Sequence, residues 1–104
     1  MADIHQYDIG TNIIITIRDE DSNVVNLSLA SVKEIDFRRG NRTIFTRPAA
    51  FVTDGSDGKI KYTTVEGDLN VPGNWIAQAY VELSDGKWYS SNHEFEVKSV
   101  LNPR

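Results

Sequence analysis

The chain has 104 residues and a formal charge of -4, from 11 Lys+Arg against 15 Asp+Glu. This length suits one domain with a single core. The acidic balance argues against general electrostatic attraction to nucleic acid or to an anionic membrane, so we expect a protein or a neutral partner. The lack of cysteine excludes disulfides, thiolate chemistry and cysteine-ligated zinc. No apolar run approaches membrane-spanning length, and residues 1–5 lack the basic start and apolar centre of a secretory signal. We therefore expect the protein to stay in the compartment where it is made, or to leave it inside a larger assembly.

Residues 1–10 carry isolated apolar side chains and end at Gly10, which predicts a flexible N-terminal arm or a short lead-in strand. Residues 11–18 are mostly β-branched and place three isoleucines on one face: Ile13, Ile15 and Ile17. This period of two predicts a strand with one apolar face. The polar residues 19–23 that follow predict a loop.

The next predicted elements are a short edge segment at 24–27 and a hairpin. Residues 32–39 predict a strand with Ile35 and Phe37 pointing inward. Gly40 and Asn41 favour a two-residue turn, which would pair Arg39 with Arg42 at the tip and Phe37 with Ile44 on the core face. The second strand runs to residue 52, and its Pro48 indicates an edge position or a bulge.

Glycine and aspartate at residues 54–58 predict another turn, and residues 59–63 predict a strand that pairs with residues 46–52. Residues 64–73 form the longest connection without a repeating pattern. We expect them to cross between two sheets, with one helical turn possible at residues 65–69.

Residues 74–97 predict the hairpin that supplies most of the core. One face of its first strand carries Trp75, Ala77, Ala79, Val81 and Leu83. A two-residue turn at Asp85 and Gly86 would pair Ala77 with Glu94 and bury carboxylates. A three-residue loop or a one-residue bulge near Ser90 and Ser91 is therefore expected, with Ala77 opposite Phe95 and Trp75 opposite Val97.

Regularly spaced strands, polar turns and the absence of any helix-period segment predict an all-β sandwich, with a small barrel as the alternative. We assign residues 11–98 to this single domain. Residues 1–10 then form the N-terminal arm and residues 99–104 a C-terminal tail.

The sequence contains no recognisable catalytic, cofactor-binding or metal-binding constellation. Residues 19–23 and 54–58 offer carboxylates for calcium, but neither fits the EF-hand spacing, and the same residue types favour tight turns. His5 and His93 have no partner at motif spacing, and we expect His93 at the margin of the core. No catalytic, cofactor or metal residues are therefore predicted.

Two groups of residues are candidates for a partner interface. Arginines at 38, 39, 42 and 47 form a positive patch that could meet a partner's carboxylates or a phosphate, or could be a solvated hairpin tip. The second group is aromatic and is expected to reach the surface, where it could bind a protein, pack internally or stack on a sugar. The candidate interface residues are Tyr80, Trp88, Tyr89, Arg39 and Arg42.

The chain resembles the N-terminal immunoglobulin-like domain of phage baseplate upper proteins over residues 11–97. The resemblance is carried by residues 12–21, 25–27, 51–62, 73–80 and 88–91. It implies an immunoglobulin-like antiparallel β-sandwich of about seven strands, in a non-enzymatic phage structural protein of the tail or baseplate. In that family a further C-terminal region joins the receptor-binding apparatus, whereas this chain stops at residue 104. If the 104 residues are the complete protein, we expect an adaptor, decoration or plug rather than a host-recognition protein.

The resulting hypothesis is a virion component, assembled in the host cytoplasm, that acts through contacts with other phage structural proteins or with copies of itself. It needs no cofactor, nucleic acid or membrane. The alternatives are a capsid decoration protein and a carbohydrate-binding module for host-surface glycans.

Overall fold

The computed structural model describes residues 4–102 and residue 104, and these residues form two packed β-sheets. The larger sheet has the strand order β1-β9-β7-β3-β4, with β8 also pairing with β7, and the smaller sheet has the order β2-β6-β5. The strands are β1 (Ile4–His5), β2 (Asn12–Thr16), β3 (Val32–Arg38), β4 (Ile44–Pro48), β5 (Ala50–Phe51), β6 (Lys59–Thr63), β7 (Gly73–Leu83), β8 (Gly86–Tyr89) and β9 (His93–Lys98).

The all-β sandwich prediction is confirmed, and the strand order is immunoglobulin-like. Strands β9, β7, β3 and β4 take the positions of strands G, F, C and C′, and β2, β6 and β5 take those of B, E and D. The described residues form nine strands rather than about seven, since β1 and β5 are only two residues long and β8 extends the β7 hairpin. All strand pairs are antiparallel except β1 with β9, which is parallel.

The core lies between the sheets and follows the alternation predicted from the sequence. In β2, Ile13 and Ile15 are buried while Ile14 is 50% exposed. Trp75 is fully buried in β7, and its indole N–H donates to the carbonyl of Val71 at 2.9 Å. Burying a large apolar side chain stabilises the fold by about 1.5–3 kcal/mol. The other buried apolar residues are Ile17, Leu27, Ile35, Phe37, Ile60, Leu69, Ala77, Ala79, Val81 and Val97.

The β3–β4 hairpin turns through three residues, so the predicted two-residue turn is wrong. The Arg39 N–H donates to the Thr43 carbonyl at 2.8 Å, and Arg42 adopts a left-handed φ of 72°. The extra residue pairs Phe37 with Phe45, whose rings stack with centroids 5.0 Å apart. Ile44, expected on the core face, is 69% exposed.

The irregularity predicted in the C-terminal hairpin is present, but the predicted register is wrong by two residues. The turn is formed by Ser84 and Asp85, because Leu83 pairs with Gly86. Residues 90–92 then shift the register by one, and β9 pairs Trp75 with Phe95. Because the observed register differs from the predicted one by two residues, each side chain stays on its predicted face, and Phe95 and Val97 face the core as expected.

Four connections carry the chain between the sheets, and two of them concern the predictions made above. Pro48 ends β4 at the edge of the larger sheet, as its sequence position indicated, and the chain then crosses to β5. Only Ala50 and Phe51 of the predicted segment therefore pair with β6. Residues 64–73 cross back, also as predicted, but residues 65–69 form turns and no helix.

Residues 4–10 follow the body of the sandwich. Ile4 pairs with Val97, and the Tyr7 N–H donates to the Leu69 carbonyl at 2.7 Å. Gly10 N–H donates to the Thr64 carbonyl at 2.9 Å. Of the two alternatives for this segment, the structure therefore contains the lead-in strand; residues 1–3 of the predicted arm lie outside the described residues.

Gly58 and Gly67 make a matched pair for testing how tightly the chain is packed directly before β6. Both have positive φ, 72° and 89°. A Cβ on Gly58 would lie 3.0 Å from the Val25 carbonyl oxygen and 3.1 Å from that of Ile17, whereas a Cβ on Gly67 would meet nothing within 4 Å. We expect Gly58→Ala to lower the free energy of unfolding by about 3 kcal/mol and Gly67→Ala by about 1 kcal/mol, in urea denaturation. Equal losses would show that backbone strain alone acts at Gly58.

Candidate functional site

The outer face of the larger sheet carries a pair of tyrosines. Tyr80 in β7 lies directly opposite Tyr89 in β8, with ring centroids 4.9 Å apart and ring planes at 42°. Tyr89 is 62% exposed, and Tyr80 is half-buried. The pair therefore presents aromatic surface to solvent, as the sequence predicted for these two residues.

A hydrogen bond fixes the Tyr80 ring. Its hydroxyl donates to Glu82 Oε2 at 2.5 Å. This bond to a carboxylate, with desolvation and the negative charge of Glu82, raises the pKa of Tyr80 to about 12. Tyr80 is thus a neutral hydroxyl at physiological pH, held in one orientation next to Tyr89.

Apolar and charged residues alternate over the rest of this outer face. Arg38 pairs with Ile76 on one side and with Ile44 on the other. An open groove of about 300 Å³ runs beside them and is also lined by Gln78 and Asn92. The Tyr80–Tyr89 pair and the exposed Ile44 therefore belong to the same face of the larger sheet, which we call the outer face.

Trp88 does not belong to the outer face, so the predicted orientation of this residue is wrong. It pairs with the buried Val81 and packs, partly buried, against the core. Strand parity from Phe95 back to Trp88 predicted an outward side chain, but the one-residue shift at residues 90–92 reverses that parity. Trp88 instead lines a groove of about 520 Å³ at the end of the sandwich, with Val24 and Leu29.

The arginine patch is divided between two environments. Arg39 turns inward, with its guanidinium carbon 4.0 Å from the Phe45 ring centroid and 6.0 Å from that of Trp75. This cation–π stacking covers the margin of the core. Arg42 is exposed in the turn, so the two residues predicted to share one face are separated. The interface role of Arg39 and Arg42 stays a prediction.

Asp68 accepts hydrogen bonds from three residues, and the sequence did not identify it as a candidate site residue. This carboxylate is 1% exposed and accepts hydrogen bonds from the Tyr62 hydroxyl at 2.5 Å and the Val65 N–H at 2.9 Å. Arg47 donates to it from Nε at 3.2 Å and from a terminal nitrogen at 2.9 Å. Burial would raise the pKa of Asp68, but these bonds outweigh it and lower the pKa below its ordinary 3.8. No local pattern distinguishes Asp68, because its partners come from β4 and β6.

The carboxylates considered for calcium are used in turns. Asp19 Oδ1 accepts from the N–H groups of Asp21 and Asn23, at 2.9 and 3.0 Å. Asp54 Oδ1 accepts from the side chain and N–H of Ser56, which lowers the Asp54 pKa. These bonds confirm the turn interpretation of both loops.

Two further observations concern the described part of the chain. Residues 4–102 and 104 contain no cluster of three or more His, Asp or Glu side chains that could hold a metal ion. They also include no helical segment with the length and apolar character to cross a bilayer. His93, expected at the core margin, is exposed at the start of β9.

Asp68→Asn tests the buried carboxylate. Because the substitution leaves Arg47 without a counter-charge and weakens the four hydrogen bonds to Asp68, we expect the free energy of unfolding to fall by about 2 kcal/mol at pH 7. The partial exposure of Arg47 keeps this loss below that of a fully buried pair. The folded pKa is lowered, so the ionised form stabilises the protein fully above the unfolded value of 3.8. That stabilisation fades as the pH falls through the folded pKa.

The measurement is urea denaturation of both proteins from pH 7 downward. The difference between them should shrink as the pH falls below 3.8. Asp21→Asn, in an exposed turn, is the control and should stay within about 0.5 kcal/mol of the original protein. A difference independent of pH would mean that the charge of Asp68 does not matter.

Comparison with protein-family models, with curated proteins and with solved structures gives no match for this chain. The resemblance to phage baseplate upper proteins therefore stays a prediction. The role of the chain has to be inferred from its own surfaces.

Proposed function

We propose that this chain is a non-enzymatic structural component of a bacteriophage virion, in the tail or baseplate. It acts by binding neighbouring virion proteins through the outer face. The resemblance over residues 11–97 supports the phage assignment. The observation that carries the binding role is the exposed Tyr80–Tyr89 pair on a broad sheet face.

The chemistry of the outer face suits a protein partner. Tyrosine is enriched at binding hot spots, since it supplies a large rigid contact area and a hydroxyl for hydrogen bonding. Tyr80 is already oriented by Glu82, so little side-chain freedom is lost on binding. Ile44 and Arg38 extend the same surface with apolar and cationic contacts.

The buried carboxylate of Asp68 is fully hydrogen-bonded within the domain, which supports a structural role. Asp68 is saturated by Tyr62, Val65 and Arg47. Arg39 is stacked on Phe45. These contacts stabilise the sandwich and use no residue of the outer face.

The test uses particles of a phage whose genome encodes this chain, purified from its host cells. We expect mass spectrometry to detect the chain in the particles and immunogold electron microscopy to label the tail end. Label on the capsid would favour the decoration alternative. Particles that assemble from the same phage genome without this chain would contradict the proposal.

Tyr89→Ala tests the outer face itself. Because the side chain is 62% exposed, we expect the free energy of unfolding to change by no more than about 0.5 kcal/mol. Incorporation into particles should fall by about tenfold, the loss typical of a hot-spot tyrosine.

The matched control is Tyr7→Ala, at a tyrosine that is 48% exposed and lies outside the outer face. It should leave incorporation unchanged. Equal incorporation of both variants would show that the outer face does not bind the neighbouring proteins. If the protein binds a glycan on an array and Tyr89→Ala loses this binding, the carbohydrate-binding alternative would be favoured.

A further inference from the structure

The free edge of β2 is a second surface, on the smaller sheet. Ile17 N–H donates to the Gly58 carbonyl at 2.8 Å, and Thr64 N–H donates to the Thr11 carbonyl at 2.9 Å. Odd-numbered residues therefore direct their backbone groups towards β6. Since these directions alternate along a strand, the N–H and carbonyl groups of Asn12, Ile14 and Thr16 point outward. No described residue pairs with that side of β2.

The β2 edge lacks the features that normally prevent strand addition. The edge strand β4 carries Arg47 and ends in Pro48, and β5 has only two residues. On the other side of the larger sheet, β8 carries Lys87, and β9 carries Glu94 and Glu96 and pairs with β1 at its C-terminal end. By contrast, β2 has five residues with no charge and no proline. Its Ile14 side chain is 50% exposed. A flat, neutral and apolar edge strand is a site for pairing with another strand.

We propose that this edge binds a second copy of the chain, antiparallel, around a two-fold axis at Ile14. The strand is nearly palindromic in character: Asn-Ile-Ile-Ile-Thr. In this register Asn12 lies opposite Thr16 of the second copy, Ile13 opposite Ile15, and Ile14 opposite Ile14. Each copy presents the same surface, as a two-fold interface requires.

The backbone directions agree with this register. Asn12, Ile14 and Thr16 are the residues with outward N–H and carbonyl groups, and the register pairs them only with one another. Each such pair exchanges both of its hydrogen bonds, so every outward backbone group between residues 12 and 16 finds a partner. A register shifted by one residue would oppose outward groups to inward ones and would lose these bonds.

Side chains on both sides of the joined sheet also fit. On the core side, Ile13 and Ile15 would meet their counterparts and continue the apolar layer from one copy into the next. On the other side, Ile14 would meet Ile14. The nearest cations, Lys59 and Lys61, lie one strand inward on β6. Equivalent lysines would therefore be three strand spacings apart, about 14 Å, which exceeds the screening length of about 8 Å at physiological salt.

This interface lies on a different sheet from the outer face and does not rest on the proposed function. It is small, since one strand pair buries less than a standard interface, and we therefore expect a weak dimer. Light scattering or sedimentation equilibrium should follow the mass of the full chain up to about 1 mM. The mass should rise from 11.7 kDa towards twice that value.

Ile14→Glu is the disrupting variant. Within one copy the new carboxylate lies beside Lys61 on β6, so the fold should be retained. Across the axis two carboxylates would be directly opposite, and dimerisation should weaken by roughly tenfold or more. The control is Leu29→Glu, at an aliphatic side chain that is 86% exposed and lies outside both β2 and the outer face, and it should dimerise like the original protein.

A measurement on the unaltered chain covers the case in which Ile14→Glu fails to fold. The backbone amides of Asn12, Ile14 and Thr16 should exchange with deuterium more slowly as protein concentration rises, and those of Ile44 and Thr46 should not change. A chain that stays monomeric up to about 1 mM would overturn the proposal. Dimers that persist in Ile14→Glu, or amide protection confined to other strands, would also overturn it.

Discussion

The alternation of side chains along β7 is the constraint on which the larger sheet depends. Three strands, β3, β8 and β9, pair with this one strand. Its buried face begins with the fully buried Trp75, and a slip of one residue would exchange that face for polar side chains. The irregularity at residues 90–92 follows from this. If β9 continued the register in which β8 pairs with β7, Trp75 would lie opposite Glu94. The glutamates of β9 would then point inward, and burying their carboxylates would be unfavourable.

The sequence predicts the strands well, because their side-chain period is a local property. The bounds of β6 were predicted without error, and the inward residues of β2 and β3 were identified correctly. The registers between paired strands were harder to predict, since each register depends on the length of one turn. The β3–β4 turn uses Arg42 with a left-handed φ, which is uncommon outside glycine, asparagine and aspartate. Residue type therefore pointed to the shorter Gly40-Asn41 turn.

The orientations of the candidate surface residues were predicted only in part, because they too depend on the register of the strands. Tyr80 lies on the outer face as its parity with Trp75 indicated, whereas Tyr89 was expected at the surface although its parity with Phe95 would have placed it on the core face. The orientation of Trp88 was inferred through the irregular residues 90–92, and the error of one position reversed it. Asp68 was not found, because its contacts with Arg47 on β4 and Tyr62 on β6 depend on how the two sheets pack and not on a local sequence pattern.

Asp68 also explains how a small second sheet is kept in place. The smaller sheet has three strands, one of which has two residues, so its edge offers few contacts. Arg47 belongs to the larger sheet and Tyr62 to the smaller one, and Asp68 in the connection between the sheets binds both. This bond network joins β4 to β6, the central strand of the smaller sheet. One edge of that sheet is β2, and no described residue makes a comparable contact there.

The two proposed surfaces are therefore compatible with one another. The outer face belongs to the larger sheet and points away from the core, whereas the β2 edge extends the smaller sheet in its own plane. Binding at one surface leaves the residues of the other uncovered. A chain with two independent contacts of this kind joins more than one neighbour, which is the property that a component of a repeating assembly needs. A pairing limited to the β2 edge would close after two copies, and further growth would have to use the outer face.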